Sequence, residues 1–237
     1  MRRAHPNRLV ADAMTGEVVG VSPGTTLWEA RELLESRGIE RLVVVDEAGA
    51  PLGVVTKAAL LAELGKHVDA LTGLPAASHL RCEAARLLEE GREISVIFLD
   101  LDNFGAIDKE LGHARGDEVL RAAARVLKEA VGEGEGLLAR YGGDEFAVLT
   151  DRPREEAKRL AERLIRALAE AEWPAGLKVT ASAGVAGGRR AGGRDQGTAA
   201  ETVANLVNMA SLASTAAKRA GARVLVADQV SLCVAGA

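Results

Sequence analysis

Two short apolar runs, Leu137-Leu138-Ala139 and Phe146-Ala147-Val148-Leu149, flank Arg140-Tyr141-Gly142-Gly143-Asp144-Glu145. Apolar runs joined through a Gly-Gly turn predict a β-hairpin, because glycine reaches the φ > 0 conformations that tight hairpin turns need. The acidic pair after the glycines is what a plain hairpin does not require. Two residues without Cβ atoms let a ligand approach the backbone, and two carboxylates beside them suit a divalent cation. Together they fit a nucleoside triphosphate with its magnesium. An ordinary solvated turn carries the same local pattern, so the hairpin alone leaves both readings open.

The rest of the chain decides how much structure surrounds that turn. Its 237 residues suffice for one large domain or two small ones, and 48% hydrophobic with 27% charged residues can bury a core and stay soluble. No apolar run approaches the ~20 residues that span a bilayer, and no signal-peptide pattern opens the chain. A net charge of −4 argues against a general nucleic-acid binder. Cys82 and Cys233 stand in no metal-ligand spacing, which points to a reduced, cytoplasmic setting.

Residues 1–66 read as one unit and 67–237 as another. In the first, Thr26-Leu27-Trp28-Glu29 is a capping box. It predicts a helix that buries Leu27, Ala30, Leu33 and Leu34 and ends at Gly38. Strands follow at 42–45 and 52–55, then a helix from Ala58 to about His67 that joins the units without a flexible break. The second unit predicts helices at about 76–90, 104–111, 117–131, 153–170 and 199–219, with strands at 94–100, 177–186 and 222–227 around the hairpin. Leu120, Ala123, Leu127 and Ala130 mark one buried helix face, and Ala157, Leu160, Leu164 and Leu168 another. The Gly/Arg-rich stretch 187–198 reads as a mobile loop. The class is α/β in the broad sense (α+β), helices packed around one sheet.

Five segments between Asp69 and Val185 carry a resemblance. They are Asp69-Ala70-Leu71-Thr72-Gly73-Leu74-Pro75, Phe98-Leu99-Asp100-Leu101-Asp102-Asn103-Phe104, Leu111-Gly112-His113-Ala114-Arg115-Gly116-Asp117, the hairpin block, and Val179-Thr180-Ala181-Ser182-Ala183-Gly184-Val185. In this order they resemble the GGDEF family, the diguanylate cyclases, which make cyclic di-GMP from two GTP. The resemblance implies a nucleotidyl-cyclase-like, largely antiparallel sheet with surrounding helices. It implies magnesium, with manganese as a substitute, held by Asp100, the Leu101 carbonyl and Asp144. Asp144 would also accept the proton, with Glu145 beside it. Helix capping by the Asp100-Leu101-Asp102 segment is the alternative use of those carboxylates. Substrate would lie on the backbone amides of Asn103, Phe104 and Gly105, on Gly142 and Gly143, and on Lys218, with guanine held by Asp108 and Asp117. Asp117 also suits a helix start.

The departures are as informative. Asp108 replaces a usual asparagine, Gly105 a usual lysine, and Ala222 a usual arginine, with Arg223 one residue late. Glu133-Gly134-Glu135-Gly136 stands where the family's product-inhibition motif, Arg-x-x-Asp, would be. Residues 1–66, a small α/β unit, resemble a single CBS motif, a module usually paired and able to bind adenine nucleotides. Here Gly53-Val54-Val55-Thr56-Lys57-Ala58-Ala59 ends on alanine where the ribose-binding aspartate would stand, and Thr56 suits a helix N-cap. The functions implied are an active diguanylate cyclase regulated or dimerised by its CBS unit, or a weak or inactive GTP-binding sensor. A homodimer through residues 1–66, with Val43, Val45 and the 27–37 helix, follows from the first.

Overall fold

The computed structural model of the chain describes Leu9, Ala11 and residues 14–187 and 198–229. Cys233 and positions 188–197 of the predicted loop lie outside the described residues. Two compact units divide the chain, residues 1–66 and 67–237.

The first unit runs β1 (Gly20–Val21), α1 (Leu27–Arg37), β2 (Arg41–Val45), β3 (Pro51–Thr56) and α2 (Lys57–Gly65). The sheet order is β1-β2-β3, with β1 parallel and β3 antiparallel to β2. Thr26 and Glu29 form the capping box, and Gly38 ends α1 at φ 60°. The Thr56 hydroxyl accepts the Ala59 amide and caps α2. Ala30, Leu34, Leu42, Leu60 and Leu64 form the core with Val21. Leu27, on the same helix face, remains 37% exposed. The expectation that it is buried fails: among the described residues the core of this unit takes Ala30 and Leu34 from α1 and not Leu27.

The second unit comprises α3 (Ala77–Glu89), β4 (Ser95–Leu101), α4 (Phe104–Leu111), α5 (His113–Val131), β5 (Leu137–Gly142), β6 (Glu145–Thr150), α6 (Arg154–Glu170), β7 (Ala181–Gly187), α7 (Ala199–Ala220) and β8 (Val224–Val226). Its sheet order is β5-β6-β4-β7-β8, antiparallel throughout except for β7-β8. Strand β4 is central, and its alternate side chains serve two cores. Ile97, Leu99 and Leu101 join Leu127, Leu160 and Leu164 on one side, while Val96 and Phe98 join Leu80, Leu87 and Val207 on the other. Helices thus cover both faces.

Two predicted boundaries move. Helix α5 begins at His113, after Gly112 at φ 81°, so Asp117 lies in its second turn and is not a helix start. A glycine inside a helix weakens it, but Gly116 has a packing role: a Cβ there would stand 2.4 Å from Asp108 Oδ1. Strand β7 begins at Ala181, later than 177: a 3-10 turn, Pro174–Gly176, precedes it, and the β4-β7 register is carried past the strand by the Asp102 amide, which donates to the Thr180 carbonyl.

Candidate active site

The end of β4, the β5-β6 turn, the start of β7 and the last turn of α7 converge at one edge of the sheet. The turn depends on one glycine. Gly142 pairs with Glu145, leaving Gly143 and Asp144 as the central residues. Gly143 has φ 50°, a region that L side chains avoid. Arg140 then fixes the turn from inside. Its Nε and Nη2 donate to the Gly143 carbonyl at 3.0 and 2.7 Å, and its Nη1 donates to both Asp69 oxygens at 3.0 Å. Burial would raise the Asp69 pKa, but the Thr72 hydroxyl and amide together with Arg140 outweigh it and hold the carboxyl below its ordinary value.

Strand register brings Asp100 opposite Glu145 on one side and Ser182 on the other. The Leu101 amide donates to the Asp144 carbonyl at 3.3 Å, which ties the hairpin tip to the end of β4. Burial raises the pKa of Asp144, and the Asp100 charge adds to the rise against an opposing backbone hydrogen bond and the charges of Lys218 and Arg140. Glu145 is raised by burial and then by Asp100 and Asp144. The negative charge that Asp100 brings beside Asp144 and Glu145 is one that a cation relieves. Among the described residues no three His, Cys, Asp or Glu side chains converge as ligands. The donor set at hand is instead two carboxylates, Asp100 and Asp144, with the Leu101 carbonyl. That all-oxygen set fits magnesium, a hard cation that keeps several waters and takes one or two protein carboxylates.

Lys218 reaches the same place from α7, with Nζ 2.5 Å from Asp100 Oδ1. Burial alone would depress its pKa, but the bond to Asp100 and the charges of Asp100, Asp102 and Asp144 raise it. Asp102 points away into its own network, accepting from Thr180 Oγ1 at 2.7 Å, Ser182 Oγ at 2.9 Å and Arg223 Nη1 at 3.2 Å. Neither Asp100 nor Asp102 caps α4, whose N-cap, Asn103, makes no side-chain cap bond. Helix capping is therefore not the role of this segment. Asn103 takes the left-handed conformation at φ 57°, the sole non-glycine among the described residues to do so. That geometry, followed by Phe104 and Gly105 in the first turn, presents backbone amides as anion-binding sites often do.

The α4-α5 turn forms a second cluster. Asp108 lies over Gly116 and pairs with His113, whose Nδ1 is 2.6 Å from Oδ2. Asp117 follows one residue after Gly116, with Arg121 at 3.9 Å. The predicted residues thus fall into two groups joined by α4: Asp100, Leu101, Gly142, Gly143, Asp144, Glu145 and Lys218 at the sheet edge, and Asp108 and Asp117 at the helical turn. The Arg140–Asp69 clamp and the Thr180, Ser182 and Arg223 support of Asp102 have no signal in the residue order. Each partner lies in or beside a recognised segment, but no spacing rule links them.

The sequence profile described as diguanylate cyclase, GGDEF domain, matches residues 66–223. The chain belongs to the GGDEF family.

The CBS domain profile matches residues 10–66, ahead of the GGDEF domain. Diguanylate cyclase DgcP of Pseudomonas aeruginosa is 37% identical over 125 residues, which is 49% of this chain and 18% of DgcP. An uncharacterized Mycobacterium tuberculosis protein is 32% identical over 235 residues, covering 96% of this chain and 35% of that protein. The chain therefore spans about a third or less of the length of these relatives. Among solved structures, the GGDEF domain of DgcB from Caulobacter crescentus, in complex with c-di-GMP, superposes with a TM-score of 0.58 at 25% identity. That match covers 68% of this chain and 96% of the DgcB domain. The mixed sheet flanked by helices is thus the GGDEF fold.

Proposed function

We propose that the chain is a diguanylate cyclase that condenses two GTP into cyclic di-GMP and pyrophosphate, with its CBS unit holding two copies together. The observation that carries this reading is the meeting of Asp100 with Asp144 and Glu145: strand register sets Asp100 opposite Glu145, the Leu101 amide bonds the Asp144 carbonyl, and the Asp100 charge adds to the raised pKa of both hairpin carboxylates. Asp100, the Leu101 carbonyl and Asp144 would hold the magnesium ion, or manganese in its place. When bound, such an ion neutralises phosphate charge and stabilises the attacking and leaving oxygens. The amides of Asn103, Phe104 and Gly105 face the β- and γ-phosphates, and Gly142 and Gly143 admit the nucleotide to the backbone. Asp117 and Asp108 accept from the N1–H and N2–H₂ donors of guanine. Asp144, at the hairpin tip, would also take the proton of the attacking 3′-hydroxyl. O3′ then bonds to the α-phosphorus of the facing GTP, the bond to the bridging oxygen breaks, and pyrophosphate leaves; the reciprocal attack by the other 3′-hydroxyl closes the ring and releases a second pyrophosphate.

A second reading, a GTP-binding sensor with little turnover, is favoured by Gly105, Asp108 and Ala222, each of which alters a family contact. Incubation with GTP and Mg²⁺ separates the two: cyclic di-GMP forms with the wild type and is lost in Asp100→Ala and Asp144→Ala. GTP binding without product supports the sensor, and product from either mutant overturns the metal and base assignment.

The surface for the dimer lies on the first unit. Val43 pairs with Val54 across β2-β3, so both lie on the sheet face opposite Leu42 and the core. Leu52 and Val54 there are 61% and 59% exposed. An apolar face of this kind suits an isologous contact. Ala59 brings no carboxylate for a ribose, and the Thr56 hydroxyl is engaged in its cap, so adenine-nucleotide binding is left out of the proposal. Among the described residues no helix is long and apolar enough to cross a membrane. Cytoplasmic GTP is the substrate proposed.

A further inference from the structure

Lys218 holds a place that phosphate binding alone does not explain. Its Nζ donates to Asp100 Oδ1 at 2.5 Å and approaches the Leu101 carbonyl oxygen at 3.4 Å. Those oxygens belong to two of the three groups assigned above to the divalent cation. One ammonium therefore bridges the ligands that the cation would need. The pair is accessible, with side-chain exposures of 39% for Lys218 and 29% for Asp100, so the contact can break without opening the core. Lysine is suited to such a move, since its charge rides on a flexible four-carbon stem. Two cations on one carboxylate oxygen repel each other strongly at this range.

We propose that Lys218 is the built-in counter-cation of the metal-free site, displaced from Asp100 by the divalent ion and transferred to the triphosphate as nucleotide arrives. This rests on the reading of Asp100, Leu101 and Asp144 as metal ligands. It adds an order of events and a coupling. Metal alone must evict the ammonium and leave it without a partner, so it binds weakly. Metal with a triphosphate offers the ammonium a new anion, and lysine binds phosphate well as a point charge. Each ligand therefore raises the affinity of the other by one common factor, and that factor depends on Lys218.

The test is Mn²⁺ binding by the full chain, followed through the paramagnetic resonance signal of free Mn²⁺, with and without a non-hydrolysable GTP analogue. Lys218→Met should bind Mn²⁺ alone about five- to tenfold more tightly than wild type, the scale of one lost, partly screened charge-assisted hydrogen bond. The coupling between Mn²⁺ and the analogue should shrink with it. Lys218→Gln, a second neutral variant, should match Lys218→Met. Lys218→Arg keeps the positive charge and should remain near wild type. If both neutral variants bind Mn²⁺ no more tightly than wild type while Asp100→Asn still weakens it, the exchange is overturned and the metal reading stands. If Asp100→Asn binds Mn²⁺ as tightly as wild type, the metal reading falls and the exchange with it.

Discussion

Asp144 answers to two opposed requirements. The proposed catalysis needs a carboxylate at the hairpin tip, while folding places that carboxylate in a partly buried site beside Asp100, where its ionisation is disfavoured. Because its folded pKa is raised, the ionised group lowers stability above that pKa, and the penalty fades as pH falls through it toward the unfolded value. Asp144→Asn should therefore raise the Tm of the metal-free protein at pH 7 by about 1–2 °C, a screened effect, while abolishing synthesis. The gain over wild type should vanish on acidification; a gain that persists at low pH would assign it to something other than the charge. Asp69 behaves in the opposite sense, since its lowered pKa contributes stability above the ordinary carboxylate range that is lost on acidification. Gly105 concerns affinity. A Cβ there would meet nothing within 4 Å, so the missing lysine is not excluded by packing. Gly105→Lys should tighten GTP binding with Mg²⁺ by about tenfold, as one added charge-assisted phosphate contact allows, and calorimetric titration measures it. Unchanged affinity would mean that the first turn of α4 does not face the phosphates.

Elements meet at this edge because specific positions let backbones close. Strand β7 lies directly beneath α7: a Cβ at Gly184 would stand 2.0 Å from the Ala210 carbonyl oxygen and 2.3 Å from the Ser214 amide. Both neighbours are backbone and cannot turn aside. Gly184→Ala should therefore destabilise the second unit by about 3 kcal/mol or more. It should also lower activity, since α7 carries Lys218. Urea unfolding that shows a loss below about 1 kcal/mol would mean that the helix rides more loosely on the sheet than its contacts indicate. The α4-α5 turn uses the same device at Gly116, where the space of an absent side chain is taken by Asp108.

Two units with separate cores carry separate duties in the proposed enzyme. Synthesis needs two GTP-loaded sites facing each other, whereas one chain supplies one site. Removing residues 1–66 should leave a monomer that binds GTP and makes cyclic di-GMP only at high protein concentration. Light scattering alongside product assays checks this. A truncated chain that is dimeric and fully active at dilution would move the dimer contact into the GGDEF domain.

The hairpin and the helices were legible from residue order because their signals are local: apolar period, turn glycines, capping boxes. The candidate ligands Asp100, Leu101 and Asp144 were named through the resemblance of the 98–104 and 140–146 segments to a family, not through a spacing that joins them. Boundaries were less legible, because Gly112 starts α5 earlier than Gly116-Asp117 implies, and a 3-10 turn at Pro174–Gly176 precedes the later start of β7. What only the tertiary structure decided are contacts across the chain. Lys218 meets Asp100 over 118 residues, Arg223 meets Asp102 over 121, and Arg140 meets Asp69 over 71. No periodicity encodes such pairs. They arise when β4 becomes the central strand and the ends of β6, β7 and α7 are carried to one edge by packing. The exposure of Leu27 has the same origin, for a helix face is a property of sequence, but the surface that covers it belongs to the fold.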